Sequence, residues 1–141
     1  MAEPSGLRLL AEDGADLAVM SAALQDAIAQ VGDILYEPKT RRLTIAFNRF
    51  RWEAGEGQRV RAALQIGSVL DVQSRKIRRD RRDAVLELLA ITFVAGDPPG
   101  GTLTLSFAGG GDFRLQVECV DAVLADVSRP WPTPRTPAHD L

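Results

Sequence analysis

The chain has 141 residues, 45% of them hydrophobic and 26% charged, with a formal net charge of −2. Such a composition suits one globular domain, which at this size buries about two thirds of the surface its unfolded chain exposes and needs no covalent staple. A single cysteine excludes an internal disulfide, a single histidine (His139) excludes most zinc and acid–base constellations, and no apolar stretch approaches the ~20 residues of a membrane helix. Met1-Ala2-Glu3-Pro4 lacks the basic-then-apolar pattern of a signal peptide, so the expectation is a cytoplasmic protein with no membrane partner.

The net charge conceals an asymmetry. Residues 1–37 hold 1 basic and 7 acidic residues, residues 38–82 hold 13 basic and 4 acidic, and residues 83–141 hold 3 basic and 8 acidic. A basic middle between acidic flanks points either to an electrostatic partner or to thirds that face each other within the fold or across a homodimer. Arginine outnumbers lysine 15 to 2. Codon bias in a GC-rich genome explains that excess without any function.

In chain order, Leu7–Leu10 reads as a first strand. Glu12, Asp13 and Asp16 suit a helix N-terminus, and Leu17, Met20, Leu24, Ala27 and Ile28 follow at helical spacing, which predicts a helix over Glu12–Asp26. Ile28–Tyr36 is expected as a strand, joined by a turn at Glu37–Arg41 to a strand at 42–52, where Leu43, Ile45 and Phe47 alternate with Thr44, Ala46 and Asn48. A Gly-rich connection over Glu53–Gln58 leads to an extended run at Arg59–Ile66. Gly67 then marks a bulge or corner before Val69–Val72.

Ser74–Asp83 is polar and reads as a loop. Ala84–Val94 fits a buried strand or a short helix, and its Ile91-Thr92-Phe93-Val94 end favours strand. Gly96–Gly101 is a breaker. Thr102–Phe107 and Phe113–Glu118 form a hairpin about Gly109-Gly110-Gly111-Asp112. Val120–Val127 fits a strand or two helical turns, and strand is the expectation. From Arg129 the chain is Pro-rich and extended, with Trp131 placed to pin its start to the body. The sum is an α+β fold: an N-terminal helix packed on a mainly antiparallel sheet of about seven strands, of the kind that can roll into a partial barrel. Residues 1–128 form the single domain and 129–141 the tail.

No catalytic, cofactor or metal constellation stands out. The glycine run at 109–111 lacks both nucleotide-binding spacings and precedes a strand rather than a helix, so it reads as a turn. Glu12, Asp13 and Asp16 sit where a helix wants acids, and Cys119, in an apolar run, reads as a buried, inert thiol.

The basic middle carries the candidate surface. Arg49 and Arg51 share one strand face, and Arg59 and Arg61 share a face of the next strand. If those strands pair, four guanidiniums could form a ladder opposite Phe50 and Trp52, and such a ladder would call for an anion or an acidic partner. Arg75, Lys76, Arg78, Arg79, Arg81 and Arg82 crowd into eight residues, a nucleic-acid footprint when joined to a basic face.

The segment Asn48-Arg49-Phe50-Arg51-Trp52-Glu53 resembles a bacterial family known as domain of unknown function 2948. So do Phe107-Ala108-Gly109-Gly110-Gly111, Arg114-Leu115, Val117-Glu118-Cys119-Val120 and the tail Pro130-Trp131-Pro132-Thr133. The resemblance spans Leu7 to Thr133. It implies a small cytoplasmic protein from a GC-rich bacterium and supplies no activity, ligand or catalytic residue.

Three functions compete. The first is a non-enzymatic protein-interaction module using Trp52, Trp131 and the arginines of 49–61, because Trp and Arg dominate binding hot spots. The second is nucleic-acid binding through Arg49, Arg51, Arg59, Arg61 and the 75–82 loop. The third is a small-molecule pocket inside a rolled sheet.

Overall fold

The computed structural model describes residues 6–53 and 57–133. Its single α-helix, α1 (Gly14–Ala23), packs on an antiparallel sheet of eleven strands. In chain order these are β1 (Arg8–Ala11), β2 (Ile28–Gln30), β3 (Ile34–Glu37), β4 (Arg42–Phe50), β5 (Gln58–Ile66), β6 (Val69–Arg75), β7 (Val85–Ala95), β8 (Gly101–Phe107), β9 (Asp112–Val117), β10 (Ala122–Asp126) and β11 (Trp131–Pro132). The α+β expectation therefore holds, and the strand count of about seven is corrected to eleven.

The main path of the sheet runs β1-β10-β5-β4-β2-β7-β8-β9-β6, with β3 beside β4 and β11 beside β5, and the sheet is not closed. Two features bend it. β2 opposes β4 through the single pair Ile28–Asn48 and then follows β7 from Ile28 to Gln30, carrying the sheet from one half to the other. β5 continues into β6 across Gly67-Ser68, a corner where the Gly67 N–H donates to Asp121 O (2.8 Å) and Ser68 takes a positive φ of 57°. A Cβ on Gly67 would lie 2.5 Å from Asp121 Oδ2, so any larger residue there would have to displace the exposed Asp121 carboxylate.

The extra strands come from breaks that periodicity does not signal. The expected strand Ile28–Tyr36 is split by a 3₁₀ turn at Val31–Asp33. There the N–H groups of Val31 and Gly32 donate to Ala84 O (2.9 Å) and Arg82 O (2.8 Å), drawing the chain away from β4. The helix is shorter than expected at both ends. Asp13 is its N-cap, its Oδ1 accepting from Asp16 N at 2.8 Å, and Asp26 ends the segment with a φ of 63°. The carboxylates of Asp13 and Asp16 thus serve the helix terminus. Residues 120–127 contribute strand β10, and Gly109 and Gly110 turn the β8–β9 hairpin with φ of 89° and 93°.

One hydrophobic core runs through both halves of the sheet. Leu43, Ile45 and Phe47 of β4 meet Leu64 and Ile66 of β5, and the same cluster takes in Leu88, Leu103, Leu105, Phe107 and Leu115. Helix α1 adds Leu17 and Met20, and its Ser21 hydroxyl accepts from Ile91 N of β7 at 2.9 Å.

Candidate functional site

The register of β4 against β5 decides the faces. Asn48 opposes Arg61, Arg49 opposes Val60, and Phe50 opposes Arg59. Directly opposed residues share a face, so Arg59 and Arg61 stand with Asn48 and Phe50, while Arg49 stands with Val60. The four-arginine ladder does not form. The strands pair as expected, but each odd position of β4 opposes an even position of β5, which sends Arg49 to the other side. Phe50 does not lie on the opposite face from the β5 arginines but shares theirs, with Arg59 Cζ 6.0 Å from its ring centroid.

Arg49 continues the inward series Leu43, Ile45, Phe47 and has no solvent exposure. All five of its N–H donors are used. Nε donates to Asp126 Oδ1 (2.9 Å) and Nη2 to Asp126 Oδ2 (2.8 Å). Nη2 and Nη1 also donate to Glu53 Oε2 (2.7 Å) and Oε1 (3.0 Å), and Nη1 to Phe50 O (3.3 Å). Asp126 Oδ2 in turn accepts from Leu7 N at 3.3 Å. Burial by itself would lower the Arg49 pKa, but the hydrogen bonds it donates to Asp126 and Glu53 outweigh it and hold the guanidinium charged. Glu53 is held below its ordinary carboxylate value, chiefly by its hydrogen bonds to Arg49 and against its partial burial. The cluster ties β4, β10 and the start of β1 to the segment carrying Trp52. Arg51 belongs to the same corner: its Nη1 donates to Gln58 Oε1 and its Nε lies 3.9 Å from Glu53 Oε2.

Above this cluster lies an aromatic row on the outer face. Trp52 packs edge-on to Phe50 with ring centroids 4.7 Å apart, and its Nε1 donates to Gln25 O at 3.4 Å. Arg59 covers Phe50 and donates from Nη1 to Asn48 O at 3.3 Å. Trp131 of β11 opposes Arg59 across the sheet. Both tryptophans are 37% exposed, whereas Phe50 is buried. Arg59 has no carboxylate partner among the described residues. Arg61 has one, donating to Asp33 Oδ1 (3.1 Å) and to Asn48 Oδ1 (3.0 Å).

Half of the cations in the 75–82 segment hold carboxylates. Arg75 pairs with Asp112 (2.9 Å), Arg78 with Asp80 (3.5 Å) and Arg81 with Asp83 (3.4 Å). Arg82 Nη2 donates to Gly32 O at 3.3 Å, and the side chains of Lys76 and Arg79 bond to no described residue. Pairs such as Arg41–Glu118, Arg49–Asp126, Arg61–Asp33 and Arg75–Asp112 join the basic middle to the acidic flanks. Much of the sequence asymmetry is thus neutralised inside the fold.

Sequence reasoning passed over Asp126 as the partner of Arg49 and over Glu53. A signal existed for the first: Asp126 ends the inward series Ala122, Leu124, just as Arg49 ends that of β4, and a charge at an inward position needs a counterion. Cys119 is half-buried rather than buried, 3.7 Å from Ser68 Oγ. Among the described residues no group of three or more His, Cys, Asp or Glu side chains is placed to hold a metal ion, and no helix is long and apolar enough to cross a membrane. His139 lies outside the described residues.

Fold and site together define an α+β protein with one helix on an open antiparallel sheet, braced at one end by a buried Arg–Asp–Glu cluster. The chain belongs to the family described as "Protein of unknown function (DUF2948)", whose model matches residues 7–139. No curated protein and no solved structure matches it.

Proposed function

We propose that this protein is a non-enzymatic interaction module of the bacterial cytoplasm that binds an acidic protein segment on the outer face formed by Trp52, Phe50, Arg59 and Trp131. The observation that carries the reading is the aromatic row itself. Two half-open indoles flank a guanidinium that has no carboxylate partner among the described residues, and Trp and Arg are the residues most enriched in binding hot spots. The ion cluster below supports it by rigidity, since a pre-ordered surface loses less entropy on binding. Arg49 and Arg51 serve this surface from beneath as positioning residues.

Stacked aromatics beside an arginine also suit single-stranded nucleic acid. That reading is weaker because phosphate binding needs unpaired cations, and Arg49, Arg61, Arg75, Arg78 and Arg81 already hold carboxylates. The test is affinity capture with wild type, Arg59→Glu and Trp131→Ala, run beside anisotropy with single-stranded RNA at two salt concentrations. A partner retained by wild type and lost by both variants supports the proposal. Equal capture by all three overturns it, as does salt-sensitive RNA binding that both variants abolish. A partner that proves to be a second copy of the chain makes the face a homodimer interface.

A further inference from the structure

The open sheet leaves a seam between β3 and β6. Among the described residues β3 pairs only with β4, and β6 only with β9, so each presents an unpaired edge there. Between them lies a cleft of about 250 Å³. Its walls are apolar: Val31, Ile34 and Tyr36 on one side, Val72 and Phe113 on the other, with buried Leu43 at the base.

Its rim is selective in charge. Three of the six cations at 75–82 hold aspartates, and none of those three lines the cleft. The two that do, Arg79 and Arg82, have no carboxylate partner among the described residues. The Tyr36 hydroxyl likewise bonds to no described residue. The rim is also held in place. Gly32 N donates to Arg82 O (2.8 Å), Arg82 Nη2 donates back to Gly32 O (3.3 Å), and Val31 N donates to Ala84 O (2.9 Å). A Cβ on Gly32 would sit 3.1 Å from Arg82 O, so glycine permits this close approach.

We propose that this cleft binds a small amphipathic organic anion, its apolar body between β3 and β6 and its anionic head between Arg79 and Arg82. Unpaired guanidiniums bind carboxylate or phosphate oxygens through charge-assisted hydrogen bonds, and apolar walls reward an uncharged tail. Ligand pockets of ordinary drug-sized molecules occupy about 300–1,000 Å³, so the occupant is smaller than those. The site is separate from the aromatic face, and neither proposal depends on the other.

The test is titration calorimetry of the full chain with octanoate, octyl phosphate, octanol and inorganic phosphate. Octanoate, octyl phosphate or both should bind saturably, and octanol and inorganic phosphate should bind much more weakly. Arg79→Ala with Arg82→Ala should weaken binding by about tenfold or more, while Arg78→Ala, equal in charge change per site but aspartate-paired and off the cleft, should leave it unchanged. Val72→Phe, which fills the cleft, should remove binding with the cooperative unfolding transition retained. No binding of either octyl anion, octanol binding as tight as octanoate, or equal losses in Arg78→Ala and the double variant would overturn the proposal.

Discussion

Arg49 and Asp126 stand 77 positions apart in the chain, yet two hydrogen bonds of 2.9 and 2.8 Å join them where neither side chain reaches solvent. Removing one partner strands a buried charge, which costs about 3–5 kcal/mol, whereas replacing both by apolar groups is often far less damaging. Arg49→Leu should lower stability by about that amount, Asp126→Leu by less because Glu53 still holds the guanidinium, and the double variant by clearly less than their sum. Urea denaturation of the four proteins measures this. Strict additivity would mean that the two charges are not coupled.

Glu53 provides a pH handle on the same cluster. Its folded pKa lies below the ordinary value of 4.5, so its contribution is fully present above that value and fades as pH falls through it toward the lower folded value. The fluorescence of neighbouring Trp52, read in a Trp131→Phe background, should therefore change below pH 4.5. In Glu53→Gln that step should disappear. A step of unchanged position and size in the variant would separate Glu53 from it.

Asp13 caps α1 by accepting from Asp16 N, and Asp16 Oδ2 accepts in return from Glu12 N at 3.0 Å. Asp13→Ala should cost about 1 kcal/mol, visible as a lower urea midpoint with an unchanged slope. Asp13→Ser, which keeps a capping oxygen, should restore most of the loss.

Gly101 opens β8 opposite Ala95, and an added Cβ would fall within contact distance of Val94 O and 2.7 Å from Phe93 Cζ. Gly101→Ala should destabilise by about 1–3 kcal/mol through overpacking. Gly109→Ala meets no neighbour within 4 Å and should suffer only the strain of its positive φ. A thermal melt that ranks Gly109→Ala as the worse of the two would contradict this.

The elements most legible in the sequence were those with a clean two-residue period. Leu43, Ile45 and Phe47 announce β4, and the Gly-rich turn at 109–111 announces the β8–β9 hairpin. Ile28–Tyr36 was misread as one strand because its break is imposed from outside, by carbonyls of Arg82 and Ala84 some fifty residues later that capture Gly32 and Val31. The site was half legible. Trp52, Trp131 and Arg59 read as surface residues from the sequence, whereas Arg49 does not belong with them, since its position continues the inward series of β4.

The amino-acid sequence alone determined the class of the protein, the antiparallel hairpins and the presence of a basic middle, since composition, alternation and turn chemistry act over a few residues at a time. Which arginines are free was settled only by the tertiary structure. A guanidinium is neutralised by whichever carboxylate the register brings within about 3 Å, and Asp126, Asp33 and Asp112 reach Arg49, Arg61 and Arg75 from strands and turns far along the chain. Among the described residues no acid reaches Arg59, Arg79 or Arg82, and that is a property of the fold rather than of any local pattern.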